Sequence, residues 1–369
     1  MLPGSVYKYR LCELYALRLC RCLPNKDVLD SIAGAGILRY RSHRAGRCYY
    51  RRIRVVPLRN VNMHFILYTA GLQDIIRSHS MMGHCCADDS QVYSSCAPSD
   101  QAVLHEAMLD CLHDIDGWTV TNRLRLGPTG TELMWCSTPQ QRHLVGDDPF
   151  VIGGVSVNPS SSVKLLGLTI DCDLSMSSHV SRTVSTCFNQ LRRLKSIRRS
   201  LPIDAAKTLV NSFVVSRLDY CNGVFAGVTQ RQCNRMQSIL NASARLLYGG
   251  TRREHVTPLL RDRLHWLKFQ QRITYKLCLT VYKVLHQPHP AYLGELIRPL
   301  PTSRPSRQLR SADTNSLYNP RCRKKSGERG FSWAGPAAWN KLPADIRLLP
   351  SLSVFKIKLK TLLFKECYT

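Results

Sequence analysis

The sequence predicts an α+β fold: a mixed region of short strands and helices, followed by a mostly α-helical block. Three observations carry this. Two stretches that can each be extended, M-M-G-H-C-C-A and S-Q-V-Y-S-S, flank Asp88 and Asp89 and place the acidic pair at a hairpin turn. The runs T-E-L-M-W-C (Thr131–Cys136) and V-K-L-L-G-L-T-I-D (Val163–Asp171) have the length and apolar content of strands. From Ser177 the apolar spacing changes to three and four, through Val180, Val184, Cys187, Phe188, Leu191 and Leu194.

Taken in order, residues 1–64 form a basic segment with no clear element, expected to be disordered or an unrelated leader. Its run R-Y-R-S-H-R-A-G-R-C-Y-Y-R-R-I-R (Arg39–Arg54) interleaves arginine with tyrosine, which suits nucleic acid and equally suits a basic arm without a dedicated role. Residues 65–175 follow, with a short apolar helix over Phe65–Ile76, the acidic hairpin, a helix over Ala102–Val120, a turn at G-P-T-G (127–130) and the two strands. Residues 176–300 read as helices over Asp204–Tyr220, Arg231–Tyr248 and Leu264–His286 after the one that begins near Ser177. The proline-rich stretch Arg298–Pro305 closes that block. Residues 301–369 carry a polar basic stretch, a small core anchored by Trp333 and Trp339, and a final helix over Leu352–Lys365.

Charge limits the partners. The 52 Lys and Arg against 25 Asp and Glu give +27, an excess that favours a polyanion. It is unevenly placed: +10 over residues 1–60, −7 over 61–160 and +24 over 161–369. An acidic island between basic flanks suits cations held at a site with phosphates gripped beside it. On the helix that begins near Ser177, Arg192, Arg193, Lys195, Arg198 and Arg199 lie mostly off the apolar stripe, and are the residues expected to contact a nucleic-acid backbone. The alternative for them is a solvated helix face.

The 16 cysteines form no C-x-x-C, and Cys20/Cys22 and Cys85/Cys86 are too close for ordinary zinc pairs. His105 and His113 are eight apart and do not make the H-E-x-x-H of zinc hydrolases, so the run His105–Asp116 reads as a polar helix face. The N-terminus has no continuous apolar core of a secretory leader, and no apolar run approaches the roughly 20 residues of a membrane span. The expectation is an intracellular protein, nuclear or cytoplasmic, not secreted and without a membrane partner, with reduced thiols.

Alone, the triplet Ala87-Asp88-Asp89 fits either a metal-binding turn or an acidic surface loop. Nucleotide polymerisation uses two divalent cations about 4 Å apart. Hard cations prefer carboxylate oxygens, which a tight turn between paired strands can present.

The motif order F-I-L-Y-T-A-G-L, C-A-D-D-S-Q-V-Y, N-R-L-R-L-G-P-T-G-T-E, V-K-L-L-G-L-T-I-D resembles reverse transcriptases of non-LTR (LINE-type) retrotransposons, particularly the CR1/jockey-like group. S-R-L-D-Y-C-N (Ser216–Asn222), A-R-L-L (Ala244–Leu247), L-H-W-L (Leu264–Leu267) and W-N-K-L-P-A-D-I-R (Trp339–Arg347) extend the resemblance, which covers about residues 65–369. It implies a partial palm over 65–175, a helical thumb and connector over 176–300, and Asp88 and Asp89 as catalytic and metal-ligating residues. It further implies Mg2+ or Mn2+ as cofactor and an RNA template with a DNA primer as partner. Asn122–Glu132 matches the segment that follows the acidic hairpin, and Val163–Gly167 resembles the primer grip.

Three departures set the expected activity. Cys86 stands where the family has tyrosine beside the primer end. Gly130 stands where it has a lysine that protonates the leaving pyrophosphate, an acid glycine cannot supply. V-P-L-R-N-V-N-M-H precedes Phe65 in place of the expected P-Q-G-S-V-L-G-P-L-L-F, and Asp27 and Asp30, the only aspartates before Asp74, do not match the first palm aspartate. Arg39–Arg59 faintly resembles the leader before the endonuclease of such elements, placing a deletion or splice junction near His64. Without its central strand the palm sheet is expected to have an unpaired edge. The functional expectation is a truncated, catalytically defective RNA-directed DNA polymerase domain. The alternatives are a non-catalytic nucleic-acid-binding module derived from one, or a polymerase completed in trans.

Overall fold

The computed structural model describes residues 14–19, 68–86, 89–124, 126, 130–152, 154–251, 254–288, 291–300, 315–322 and 327–368. The chain is α+β, and its contacts divide it into two compact units, Met1–Ser175 and Met176–Thr369.

In the first unit, β1 (Leu14–Leu19), α1 (Ala70–Ser78), β2 (Met82–Cys86), β3 (Asp89–Tyr93), α2 (Gln101–Thr121) and β4 (Glu132–Cys136) build a four-stranded antiparallel sheet with two helices. The strand order is β2-β3-β1-β4. β1 pairs with β3 from Leu17 opposite Val92 to Leu19 opposite Ser90, and with β4 from Leu14 opposite Cys136 to Arg18 opposite Glu132. The gap expected at the missing central strand is therefore filled, and the sheet's edges are β2 and β4. A strand from the basic N-terminal segment, L-Y-A-L-R-L, takes the place between β3 and β4.

Strand β3 explains how the sheet meets its helices. Ser90 and Val92 are buried, whereas Asp89, Gln91 and Tyr93 point to the other face, as the two-residue period of a strand requires. Val92 joins Leu72 and Ile76 of α1 and Met108, Cys111, Leu112 and Ile115 of α2 in one core with Leu133 and Trp135. α2 forms because its apolar residues recur at three and four. Its end at Asn122 is fixed by that side chain donating from Nδ2 to the Trp118 carbonyl at 2.8 Å. β4 is buried on both sides: Met134 and Cys136 pack with Val163, opposite the face carrying Leu133 and Trp135.

Two further hairpins complete this unit: β5 (Phe150–Ile152) with β6 (Val155–Val157), and β7 (Ser162–Leu165) with β8 (Leu168–Asp171). The single strand expected over Val163–Asp171 is therefore two. Leu166 and Gly167 both have positive φ, at 45° and 84°, the geometry of a two-residue primed turn that reverses the chain. Of the helix expected over Phe65–Ile76, residues 65–67 lie outside the described residues, and α1 continues two residues further, to Ser78.

The second unit is helical. α3 (Ser177–Ile197) packs on α6 (Gln230–Tyr248) through Val180, Cys187, Leu191 and Leu194 against Cys233, Met236, Leu240, Ala244 and Leu247. The predicted helix over Asp204–Tyr220 is α4 (Ile203–Val210), a π-helical turn over Asn211–Val215 and α5 (Ser216–Asp219) in succession. α6 starts with a capping box: Thr229 Oγ1 accepts from the Gln232 amide at 3.3 Å, and Gln232 Oε1 accepts from the Thr229 amide at 3.0 Å. It stops at Gly249, whose φ of 79° is the left-handed cap that glycine adopts without strain.

α7 (Phe269–His286) is shorter than the predicted Leu264–His286, because a π-helical turn over Leu259–Arg263 and His265 at φ 49° precede it. One of its faces, with Phe269, Ile273 and Leu277, joins the α3–α6 core. The other, with Cys278, Val281 and Tyr282, joins a second core. After α8 (Ala291–Glu295) come α9 (Phe331–Asn340), α10 (Ala344–Arg347) and α11 (Leu352–Tyr368). Trp339 is fully buried in that second core with Phe355, Leu359 and Leu363, and Tyr282 stacks on Phe355 at 4.2 Å. Trp333 is half-buried and packs against the α3–α6 core instead. Among the described residues no helix is long and apolar enough to cross a membrane.

Candidate functional site

The acidic hairpin forms in the expected place with a shifted tip. Its register runs from Met82 opposite Tyr93 to Cys86 opposite Asp89, so Asp89 belongs to the strand rather than to the turn. Asp88 lies outside the described residues. Asp89 is the first residue of β3, half-buried, on the sheet face away from α1 and α2.

Further from the tip on the same face, the Tyr93 hydroxyl meets His84 Nε2 at 2.9 Å with the rings stacked at 5.4 Å. Partial burial pushes the Tyr93 phenol above its ordinary range. On the helix-covered side, Gln73 Nε2 donates to Cys85 Sγ at 3.0 Å, so Cys85 belongs to the packing of the hairpin on α1.

The segments that follow the hairpin serve the scaffold. Tyr68, in the F-I-L-Y stretch, donates its hydroxyl to the backbone carbonyl of Asn122, joining two of the quoted motifs. Glu132, the last residue of the Asn122–Glu132 stretch, accepts the Lys164 amide at 2.8 Å and ties β4 to the β7–β8 hairpin. His105 packs on Phe150 with the rings tilted and their centroids 4.2 Å apart, and His79 Nε2 meets Asp114 Oδ2 at 2.8 Å.

A pair of divalent cations would need a third carboxylate near the hairpin tip. The central strand that flanks β3 offers none: L-Y-A-L-R-L carries Arg18, opposite Gln91 on one side and Glu132 on the other. Among the described residues no group of three His, Cys, Asp or Glu is placed to hold a metal. Of the two aspartates that the sequence resemblance implies as ligands of a Mg2+ or Mn2+ pair, Asp89 lies among the described residues, and no two further described donors stand beside it.

The basic residues of α3 fall into two kinds. Arg192, Arg193, Lys195 and, just past the helix end, Arg199 are exposed, with Arg192 donating to Asn189 Oδ1. Arg182 is exposed on the same face as Arg193, three turns away at about 16 Å by helix geometry. Arg198 is different. Its guanidinium donates to the carbonyls of Leu246, Leu247 and Leu201 at 3.2, 2.8 and 2.9 Å, holding the last turn of α6. The Leu246 and Leu247 carbonyls lie in the last turn of α6, where carbonyls lack an intrahelical partner, and a cation at a helix C-terminus also meets the favourable end of its dipole.

Two groups had no clear signal in the sequence. Arg272 pairs with Asp219 at 2.6 Å and donates to the Leu267 carbonyl at 3.0 Å. Arg347, in the Trp339–Arg347 motif, is buried, donates to Ser316 Oγ at 2.6 Å, and is held below the usual arginine range by that burial. The signal available for the first was its neighbourhood, since it draws the S-R-L-D-Y-C-N and L-H-W-L motifs together.

No family model, curated protein or solved structure matches the chain.

Proposed function

We propose that this chain is a retroelement-derived reverse-transcriptase fragment that has lost polymerase chemistry and keeps a nucleic-acid-binding surface. The observation that carries the proposal is the order of quoted motifs along the sequence, with the acidic pair at the end of an antiparallel hairpin. The sheet that bears the hairpin and the helices α1 and α2 behind it are compatible with a palm-like scaffold.

Loss of chemistry follows from the donor set. Arg18 occupies the strand where the family resemblance implies the first aspartate, Gly130 replaces the expected acid, and Cys86 replaces the tyrosine beside the primer end. A Mg2+- or Mn2+-dependent primer-extension assay on the purified chain tests this, with no extension expected. Extension that Asp88→Ala abolishes would overturn it.

A non-catalytic nucleic-acid-binding module is favoured by the exposed cations of α3 and the +24 balance over residues 161–369. Arg182, Arg192, Arg193, Lys195 and Arg199 form a broad basic face on a helix whose opposite side is buried. Phosphates held by such a face release counterions, so affinity should fall steeply with salt. Filter binding of an RNA–DNA duplex across a salt series tests it, and a flat affinity would remove this reading.

A further inference from the structure

Two cysteines of the first unit meet as free thiols in a place that neither the acidic hairpin nor the basic face of α3 explains. Cys136 is the last residue of β4 and is buried; Cys172 follows directly on the last residue of β8 and is half-buried. Both pack in the small cluster that contains Met134, Val163, Ile170 and Leu174. Their side chains therefore share the face of β4 opposite Leu133 and Trp135.

Hydrogen bonds fix the backbone on both sides of this meeting. The Ser137 amide donates to the Cys172 carbonyl at 3.0 Å, and the Cys172 amide donates to the Ser161 carbonyl at 2.9 Å. The turn that carries Cys172 is tied in its own right: the Leu174 amide donates to the Asp171 carbonyl at 2.8 Å, and Ser175 Oγ to Asp171 Oδ2 at 3.1 Å. A bond from the peptide after Cys136 to the peptide after Cys172 leaves their α-carbons roughly 5–7 Å apart. A disulfide spans that separation, so closing one asks for side-chain rotation and not a new chain path.

The two thiols differ in access. Burial pushes Cys136 up to about 12, and Cys172 adds to the shift, so the sulfurs lie near enough to feel one another. Cys136 is thus a shielded, protonated thiol, and an oxidant from solvent meets Cys172 first.

We propose that Cys136 and Cys172 form a peroxide-oxidised dithiol site, whose disulfide ties the end of β4 to the end of the β7–β8 hairpin. Cys172 Sγ attacks a peroxide oxygen: an S–O bond forms, the O–O bond breaks, and with hydrogen peroxide the second oxygen leaves as water. Cys136 Sγ then attacks Cys172 Sγ, an S–S bond forms, and the displaced hydroxide takes the Cys136 proton and leaves as water. The thiols lose two electrons and the peroxide gains them. The ring so closed contains both the β5–β6 and β7–β8 hairpins, and oxidation removes conformational freedom from that whole stretch. None of this depends on the nucleic-acid reading.

The test treats the reduced full chain with hydrogen peroxide, alkylates the thiols that survive under denaturing conditions, and maps the peptides by mass spectrometry without reduction. A Cys136–Cys172 peptide that dithiothreitol releases is expected. It should form at the same rate after about tenfold dilution of the protein, because both thiols belong to one chain. Hydrogen exchange in β7 and β8 should be slower in the oxidised chain. Cys136→Ala, which keeps an apolar group beside Met134 and Val163, should leave Cys172 as a sulfenic acid that dimedone traps. The exposed Cys85 and Cys86 report on the same sample that oxidant was present. Both thiols still free once Cys85 and Cys86 are oxidised would overturn the proposal. So would a native Cys172 that dimedone traps as fully as in Cys136→Ala, or either thiol paired with another cysteine instead.

Discussion

Cys86 stands directly opposite Asp89 in the last cross-strand pair of the acidic hairpin. In the resembled family a tyrosine occupies that place, so Cys86→Tyr is the obvious repair. It should not restore primer extension, because the neighbouring central strand still supplies Arg18 and no carboxylate. The expected result is no Mg2+- or Mn2+-dependent incorporation by either the natural chain or Cys86→Tyr. Extension gained by this single change would show that a third ligand comes from elsewhere in the chain.

Arg198 and Arg193 share a basic run and differ in their work. Three carbonyls accept from Arg198, two of them in the last turn of α6. Arg198→Ala should therefore destabilise the second unit by about 1–2 kcal/mol, discounted for its partial exposure. Arg193→Ala should change stability by less than about 0.5 kcal/mol and lower the salt slope of duplex binding by about one. Urea unfolding with filter binding on the two variants distinguishes them. The opposite pattern would assign Arg198 to the ligand and Arg193 to the fold.

That contrast shows what local pattern can and cannot disclose. The helix over Ser177–Ile197 is legible from apolar residues at three and four, because its burial depends on one continuous face. The hairpin is legible as well, since extended stretches flank a small turn. The clamp made by Arg198 joins residues nearly fifty apart in sequence, and no local pattern records such a meeting. α9 was hidden for another reason. Its Gly335 and Pro336 argue against a helix, yet Trp339 and Ala334 bury it in tertiary packing that overrides propensity. The break at Leu166-Gly167 was obscured because the apolar run continues through the turn.

Gly83 is required by how closely α1 approaches β2. A Cβ there would lie 2.8 Å from Ile76 Cδ1 and 3.0 Å from Gln73 Oε1. Ile76 is fully buried and cannot swing aside without disturbing the core it shares with Met108 and Ile115. Gly83→Val should cost about 1–3 kcal/mol by overpacking and raise hydrogen exchange in β2 and β3. Exchange in the α3–α6 helices should stay unchanged. Equal loss of protection in both regions would mean that the two units unfold together.

Buried thiols should make the fold alkaline-sensitive. Burial pushes Cys278 from 9.0 to about 12, and Glu366 adds to the shift. Burial likewise pushes Cys136 up to about 12, with the neighbouring Cys172 adding to it. A thiol whose folded pKa lies above its unfolded value contributes stability that is complete below the unfolded value and disappears as pH rises through the folded one. The window is therefore from about 9 to about 12. By about pH 10.5, each thiol should have lost roughly 2 kcal/mol of this contribution at most. Cys278→Ala should flatten the alkaline fall in urea midpoint for the second unit, and Cys136→Ala for the first. In the native chain at neutral pH the exposed Cys85 and Cys86 should react with a thiol reagent well before either. An alkaline profile unchanged by both substitutions would place the titrating groups elsewhere, with Tyr368, pushed by burial up to about 12, the next to replace by phenylalanine.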